Sequence, residues 1–181
     1  VGKSLQKIVD TIVAATSGLP DPDALAGWSP ALSGDIDIRI LADGSWTHDG
    51  DIIHREGLVR VFASLLRREG DGHYYLVTPS EKWRIQVERH ALLGIDCEFV
   101  DDVLRVLLNT GGRCQLGGPN RLHLPGVDDE TAGEPYIEVP NGLTAQITRA
   151  AWYRLVNAAQ LEGDTAFVIS GGEKISLGAV T

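Results

Sequence analysis

The chain has 181 residues, with 25 acidic against 16 basic side chains, a formal charge of -9 and 43% apolar residues. A length above about 150 gives one domain, or two small ones sharing a core, and enough chain to bury roughly 70% of its extended surface. No apolar run nears the roughly 20 residues of a membrane span, and the glycines and prolines form no periodic tract, which excludes membrane-spanning helices, collagens and disordered tails.

In chain order, Leu5, Ile8, Val9, Ile12 and Val13 form an i, i+3, i+4, i+7, i+8 stripe around Lys7, Asp10 and Thr11. That pattern predicts an amphipathic N-terminal helix and not a signal peptide, whose apolar centre is uncharged. From Ser17 to Ser33 a connector with Pro20, Pro22 and Pro30 is expected to hold no regular structure. Ile36, Ile38 and Ile40 alternate with Asp37 and Arg39 as a half-buried strand, and Asp43-Gly44 turns the chain back through Trp46. Leu58, Val61, Phe62, Leu65 and Leu66 share one face of a helix predicted from Arg55 to Arg68. Strands are predicted over Tyr74 to Thr78 and Trp83 to Val87, then over Ile95 to Phe99 and Val103 to Leu108, with short ones near Cys114 and Leu122.

The same order then returns. Ile53 to Phe62 aligns without gaps on Ile147 to Val156 at an offset of 94; Leu76 to Ile85 aligns on Val168 to Leu177 at 92; the Asp43-Gly44 turn aligns on Asn141-Gly142 at 98. Three blocks in one order read as an internal duplication of a hairpin, helix, hairpin unit. The predicted fold class is α+β with mostly antiparallel pairing: two tandem repeated motifs, each a helix packed between antiparallel strands, behind an N-terminal amphipathic helix. The expected organisation is residues 1–33 as helix and connector, 34–94 as the first motif and 95–181 as the second motif with inserted strands.

Three segments resemble a bacterial family known as domain of unknown function 1285. They are GDIDIRILADGSW (Gly34 to Trp46), IIHREGLVRVFASLLRREGDGHYYLVTPSEK (Ile52 to Lys82) and RAAWYRLV (Arg149 to Val156). The resemblance runs roughly from Trp28 to Gly178 and departs from the family pattern at Thr47, Asp51, Trp83 and His90. It implies two repeated motifs with a helix sandwiched between antiparallel strands, and a role in ligand binding and signal transduction with no established activity.

Arg55 and Arg149 fall in the first turn of the repeat helices, where free N–H groups and the macrodipole favour an anion. They either bind a carboxylate or phosphate ligand or pair with a nearby acid such as Asp51, Glu56 or Glu81. Tyr75, Thr78 and Lys82 lie on a hairpin whose mix of aromatic and polar groups can line a small-molecule pocket or serve ordinary sheet packing. His48, Asp49, Asp51 and His54 are residue types that bind divalent metals, but they follow a turn where polar groups are solvated and occur in one copy only. Cys97 and Cys114 lack zinc-ligand spacing and read as reduced thiols of a cytoplasmic protein.

No cofactor, metal, nucleic acid or membrane is expected as a partner, since the acidic balance repels phosphate backbones and the basic residues are scattered. There is no GxSxG and no HExxH. The expected function is therefore non-catalytic binding of a small anionic ligand lined by Arg55, Arg149, Tyr75, Thr78 and Lys82, reported to a protein partner. The alternatives are a hydrolase or transferase using a carboxylate with His48 or His73, and a protein-interaction adaptor.

Overall fold

The computed structural model describes residues 22–125 and 133–180, so the helix expected over Leu5 to Val13 lies outside the described residues. The chain divides into two units, one ending at Arg89 and the other starting at His90. Strands dominate both, making the protein mostly β with two similar six-stranded sheets.

The first unit opens with α1, Pro22–Gly27, inside the connector expected to be irregular. Proline is tolerated in a first turn, where its missing N–H would have no helical partner, and Asp23 suits the positive end of the helix. Strands β1 (Leu32–Ile40), β2 (Trp46–His48) and β3 (Asp51–Ile52) form one meander; α2 (Glu56–Ser64) follows; β4 (Leu66–Arg68), β5 (Tyr74–Val77) and β6 (Lys82–Val87) form another. The sheet order is β3-β2-β1-β6-β5-β4, with β1 and β6 running parallel at its centre. Hairpin signals predict the antiparallel pairs inside each meander but not this parallel seam, which depends on where the second meander docks. The alternation of β1 is as predicted, with Ile38 and Ile40 buried and Asp37 and Arg39 exposed. Helix α2 stops short of the predicted Arg68. The Ser64 hydroxyl donates to the Val61 carbonyl at 2.7 Å, the Leu65 N–H bonds the Phe62 carbonyl at 3.0 Å, and Leu66 to Arg68 pair with β5 instead. Ile38, Ile40, Trp46, Phe62, Leu65 and Leu76 make up the core of this unit.

The second unit has the same sheet layout. Strands β7 (Leu92–Val100), β8 (Val103–Leu108) and β9 (Arg113–Gln115) form one meander, and β10 (Leu122–His123), β11 (Tyr136–Val139) and β12 (Leu143–Ile147) the next. The order is β10-β11-β12-β7-β8-β9, with β12 and β7 parallel. Helix α3 (Arg149–Asn157) and a three-stranded sheet of β13 (Gln160–Glu162), β14 (Thr165–Ser170) and β15 (Glu173–Ala179) complete it. The predicted repeat is visible in the element order, because α2 with β4, β5 and β6 corresponds to α3 with β13, β14 and β15. The sheets repeat differently: β4 to β6 corresponds to β10 to β12. Sequence repeat and sheet repeat are thus offset by one meander, so the last meander forms a sheet of its own.

Cys97 and Cys114 both sit opposite Val106, one on each flanking strand. Two strand spacings put them about 9–10 Å apart, beyond the about 7 Å that a disulfide spans. Burial pushes the Cys97 thiol up to about 12 and that of Cys114 to about 11. Thiol-reactive dyes at pH 8 should therefore label neither in the native protein and both in denaturant; two fast native thiols would overturn this placement.

Candidate functional site

The β5–β6 hairpin carries three of the sequence-nominated residues. Thr78 is buried, and its hydroxyl oxygen accepts the Glu81 N–H at 2.9 Å and the Ser80 N–H at 3.4 Å, locking the turn. Tyr75, also buried, donates its hydroxyl to Asp71 Oδ2 at 2.6 Å. That bond, more than burial, raises the Tyr75 pKa, and it lowers that of Asp71. Lys82 Nζ lies 4.8 Å from the centre of the Tyr75 ring and 3.0 Å from Glu69 Oε2. Glu69 Oε1 in turn accepts from Arg67 Nη2 at 2.5 Å. Burial pushes the Glu69 carboxyl upward, but the Lys82 and Arg67 hydrogen bonds outweigh it and hold the group below its ordinary range.

The strand pairing places these groups in rows across the sheet. Arg67, Tyr75, Arg84 and Asp35 stand directly opposite one another along β4, β5, β6 and β1. Arg84 grips Asp35 with two bonds, Nε to Oδ1 at 2.5 Å and Nη2 to Oδ2 at 3.0 Å, which lowers the Asp35 pKa and raises that of Arg84. The second unit has a matching row, His123, Tyr136, Gln146 and Leu93, also centred on a tyrosine. There the His123 ring stacks on Tyr136 at 4.6 Å, and His123 Nε2 meets Glu138 Oε1 at 2.9 Å.

Next to the first row the parallel seam is interrupted. Between Asp35 and Arg39 strand β1 uses four steps where β6 uses two, from Arg84 to Gln86, and an earlier shift lies between Leu32 and Gly34. Gly34 adopts φ +142° there, a conformation open to glycine, with the Trp83 ring 3.4 Å from where a Cβ would be. At Ser33 the side-chain oxygen accepts the Lys82 N–H at 3.2 Å. The larger interruption leaves a concavity of about 320 Å³ lined by Asp35, Ile36, His73, Arg84, Ile85 and Gln86. Bulges of this kind free backbone groups and re-aim side chains, which is why they cluster at binding sites.

Arg55 and Arg149 are both exposed and form no ion pair with another described residue; Glu56 pairs with Arg60 instead. Arg55 is the N-cap of α2, without a side-chain cap, and Arg149 begins α3 behind the Thr148 cap. Arg55 belongs to the first unit and Arg149 to the second. Among the described residues no group of three His, Cys, Asp or Glu is placed to hold a metal, and no helix is long and apolar enough to cross a membrane. Sequence reading named His73 only for the enzyme alternative and missed Arg84, Asp35 and Gln86. Their only signal was a pair of opposite charges on alternating strands 49 positions apart, which gains meaning once β1 and β6 are known to pair.

Comparison with known proteins agrees with this two-unit architecture. Residues 24–90 match the N-terminal domain of the family described as "Domain of unknown function (DUF1285)", and residues 92–177 match its C-terminal domain, "Protein of unknown function (DUF1285)". A DUF1285 family protein from Silicibacter pomeroyi DSS-3 is 32% identical, superposes with a TM-score of 0.82, and is covered over 97% of its length by 99% of this chain. One from Shewanella baltica OS155 is 30% identical with a TM-score of 0.55, over 66% of this chain and 90% of that one. No curated protein matches. With both halves matched in order and the fold shared end to end with the Silicibacter protein, this chain belongs to the DUF1285 family.

Proposed function

We propose that this chain is a non-catalytic binding protein for a small anionic ligand, received in the concavity beside the interrupted β1–β6 seam. The observation that carries this reading is the meeting there of a guanidinium, an imidazole and a carboxamide around about 320 Å³. A volume of that size suits a small organic acid or a phosphate ester. Arg84 engages two of its five N–H groups with Asp35 and keeps three for a ligand, while Asp35 fixes the plane of the fork. The His73 ring makes no hydrogen bond with a described residue and offers a ring N–H as a further donor. A net charge of -9 gives no long-range attraction for anions, so selectivity rests on these local donors.

The contacts of Phe62 with Trp46 and of Thr148 with Gly94 support the same two-motif reading, in which the helix of each motif is held between antiparallel strands. In this reading the protein reports its ligand to a protein partner in the cytoplasm, where thiols such as Cys97 and Cys114 stay reduced.

The test is thermal unfolding against organic acids, inorganic phosphate and nucleotides, followed by titration of any hit. A ligand at 100 times its Kd adds about 2.7 kcal/mol to stability. Arg84→Ala should weaken binding about tenfold or more, as expected for one lost charged hydrogen bond. Binding untouched in Arg84→Ala but lost in Arg55→Ala or Arg149→Ala would return the site to the helix starts. Absence of any hit would sink the binding reading.

A further inference from the structure

The pocket beside the β1–β6 seam is not a positively charged one. Arg84 stands between Asp35 on β1 and Tyr75 on β5, and the Tyr75 hydroxyl in turn holds Asp71 Oδ2 at 2.6 Å. Arg39, opposite Gln86, is paired with Asp37 at 3.2 Å, and Lys82 with Glu69 at 3.0 Å. Arg84, Arg39 and Lys82 thus each have a carboxylate of their own. Asp71 is held by uncharged donors, the Tyr75 hydroxyl and the His73 backbone N–H at 2.9 Å. Hydrogen bonds from Arg84 to Asp35 and from Tyr75 to Asp71 keep both carboxyls below their ordinary range, so both are ionised at neutral pH. Such a setting opposes a multiply charged anion, since the guanidinium that would receive it is flanked by ionised carboxylates.

The way Arg84 is gripped decides where a ligand carboxylate goes. Asp35 takes the Nε–Nη2 edge of the guanidinium, Oδ1 on Nε at 2.5 Å and Oδ2 on Nη2 at 3.0 Å. That leaves the Nη1–Nη2 edge for a second bidentate carboxylate. Two carboxylates on adjacent edges then share Nη2, one on each of its hydrogens, and repel each other. An ammonium group on the carbon next to the ligand carboxylate removes this repulsion. It reaches Asp35 Oδ2, an oxygen with acceptor capacity beyond its bond to Arg84.

We propose that the ligand is a zwitterion of the α-amino acid type, its carboxylate on the Nη1–Nη2 edge of Arg84 and its ammonium on Asp35. His73 and Gln86, across the cavity mouth from Asp35, serve the rest of the molecule. The inference rests on the reading of this pocket as an anion site and narrows it, from any small organic acid or phosphate ester to one whose net charge is near zero. The chain's charge of -9 repels an anion at a distance but leaves such a ligand unopposed. A cavity of about 320 Å³ is at the small end of ligand pockets and holds a molecule of amino acid size.

Calorimetric titration of the full chain with the standard l-α-amino acids, then with the des-amino acid and the decarboxylated amine of the best binder, tests the two levels separately. The amino acid should bind about tenfold or more tighter than either analogue, each of which lacks one charged hydrogen bond. Equal or tighter binding of the des-amino acid, or binding of carboxylic acids or inorganic phosphate without any amino acid, would overturn the ammonium subsite and leave the anion pocket standing. Equal binding of the amine would remove the carboxylate subsite, and no binding of any probe would remove both. Asp35→Asn keeps an oxygen toward Arg84 and drops the charge. It should weaken the amino acid about tenfold or more and leave the des-amino acid as tight or tighter. Equal loss of both ligands would make Asp35 a support for Arg84 and overturn its role as the ammonium site. Asp35→Ser gives the same comparison should the amide variant fail to fold.

Discussion

Phe62→Ala should destabilise the first unit by about 3–5 kcal/mol, the range for emptying a buried phenylalanine site. Phe62 is fully buried, is the sole buried residue of α2, and stacks on Trp46 with ring centroids 6.1 Å apart and planes at 20°. A nine-residue helix has no stability of its own, so its attachment rests on this contact and the half-buried leucine and valines beside it. Collapse around the void is hindered because Trp46 is itself packed between β1 and β3. Its indole N–H, buried without a protein partner, is where water would enter the cavity, placing the loss toward the lower end of the range. Urea unfolding followed by tryptophan fluorescence and far-UV circular dichroism measures the effect. Phe62→Leu should recover most of it, and a loss below about 1 kcal/mol for alanine would mean that α2 is held by something other than its buried face.

Gly94→Val should cost the second unit about 3 kcal/mol, the upper end of the overpacking range. A Cβ on Gly94 would lie 2.8 Å from Val106 Cγ1 and 2.9 Å from Ile147 Cδ1, and both of those side chains are buried. The backbone cannot retreat cheaply. The Gly94 carbonyl accepts both the Thr148 N–H at 2.9 Å and the Thr148 hydroxyl at 3.0 Å, and that hydroxyl oxygen also caps α3 through the Ala151 N–H. Moving β7 away would therefore loosen the start of the helix, a cap worth about 1 kcal/mol. Paired with Val106→Ala, the smaller Gly94→Ala should be tolerated far better than alone, because the nearest clashing carbon is gone. Equal stability of Gly94→Val and wild type in denaturant melts would refute this account of the glycine.

Local features were legible in the sequence wherever a side-chain period or a turn dipeptide carried them. Ile36 to Ile40 alternated and formed β1; Val103 to Leu108 is β8 as predicted; Asn141-Gly142, with φ of 65° and 70°, makes the tight turn its composition called for. The helix end was misplaced because Leu65 and Leu66 continue the apolar stripe of α2, so periodicity could not show that the chain leaves the helix to pair with β5. Helix α1 leaves no clear signal in the sequence, because Pro22 reads as a helix breaker except at the first turn, where it in fact sits. By sequence Tyr75, Thr78 and Lys82 can line a small-molecule pocket or serve sheet packing; Thr78 closes its own turn and Tyr75 lies beneath α1, and a strand's alternation tells which residues share a face but not what covers it.

What the sequence determined by itself is the two repeat helices and most of the longer strands, the internal repeat of helix and hairpins, and the family, because these follow from spacings of a few residues and from contiguous strings. The tertiary structure decided the parallel β1–β6 seam, the interruption that opens the pocket between Asp35 and Arg84, and the docking of α1 through Arg67. The physical reason is range. Each of these joins groups 39 to 50 positions apart, and the free energy that selects the pairing is a sum over the burial of whole faces, to which no single residue type in either strand contributes a readable signal.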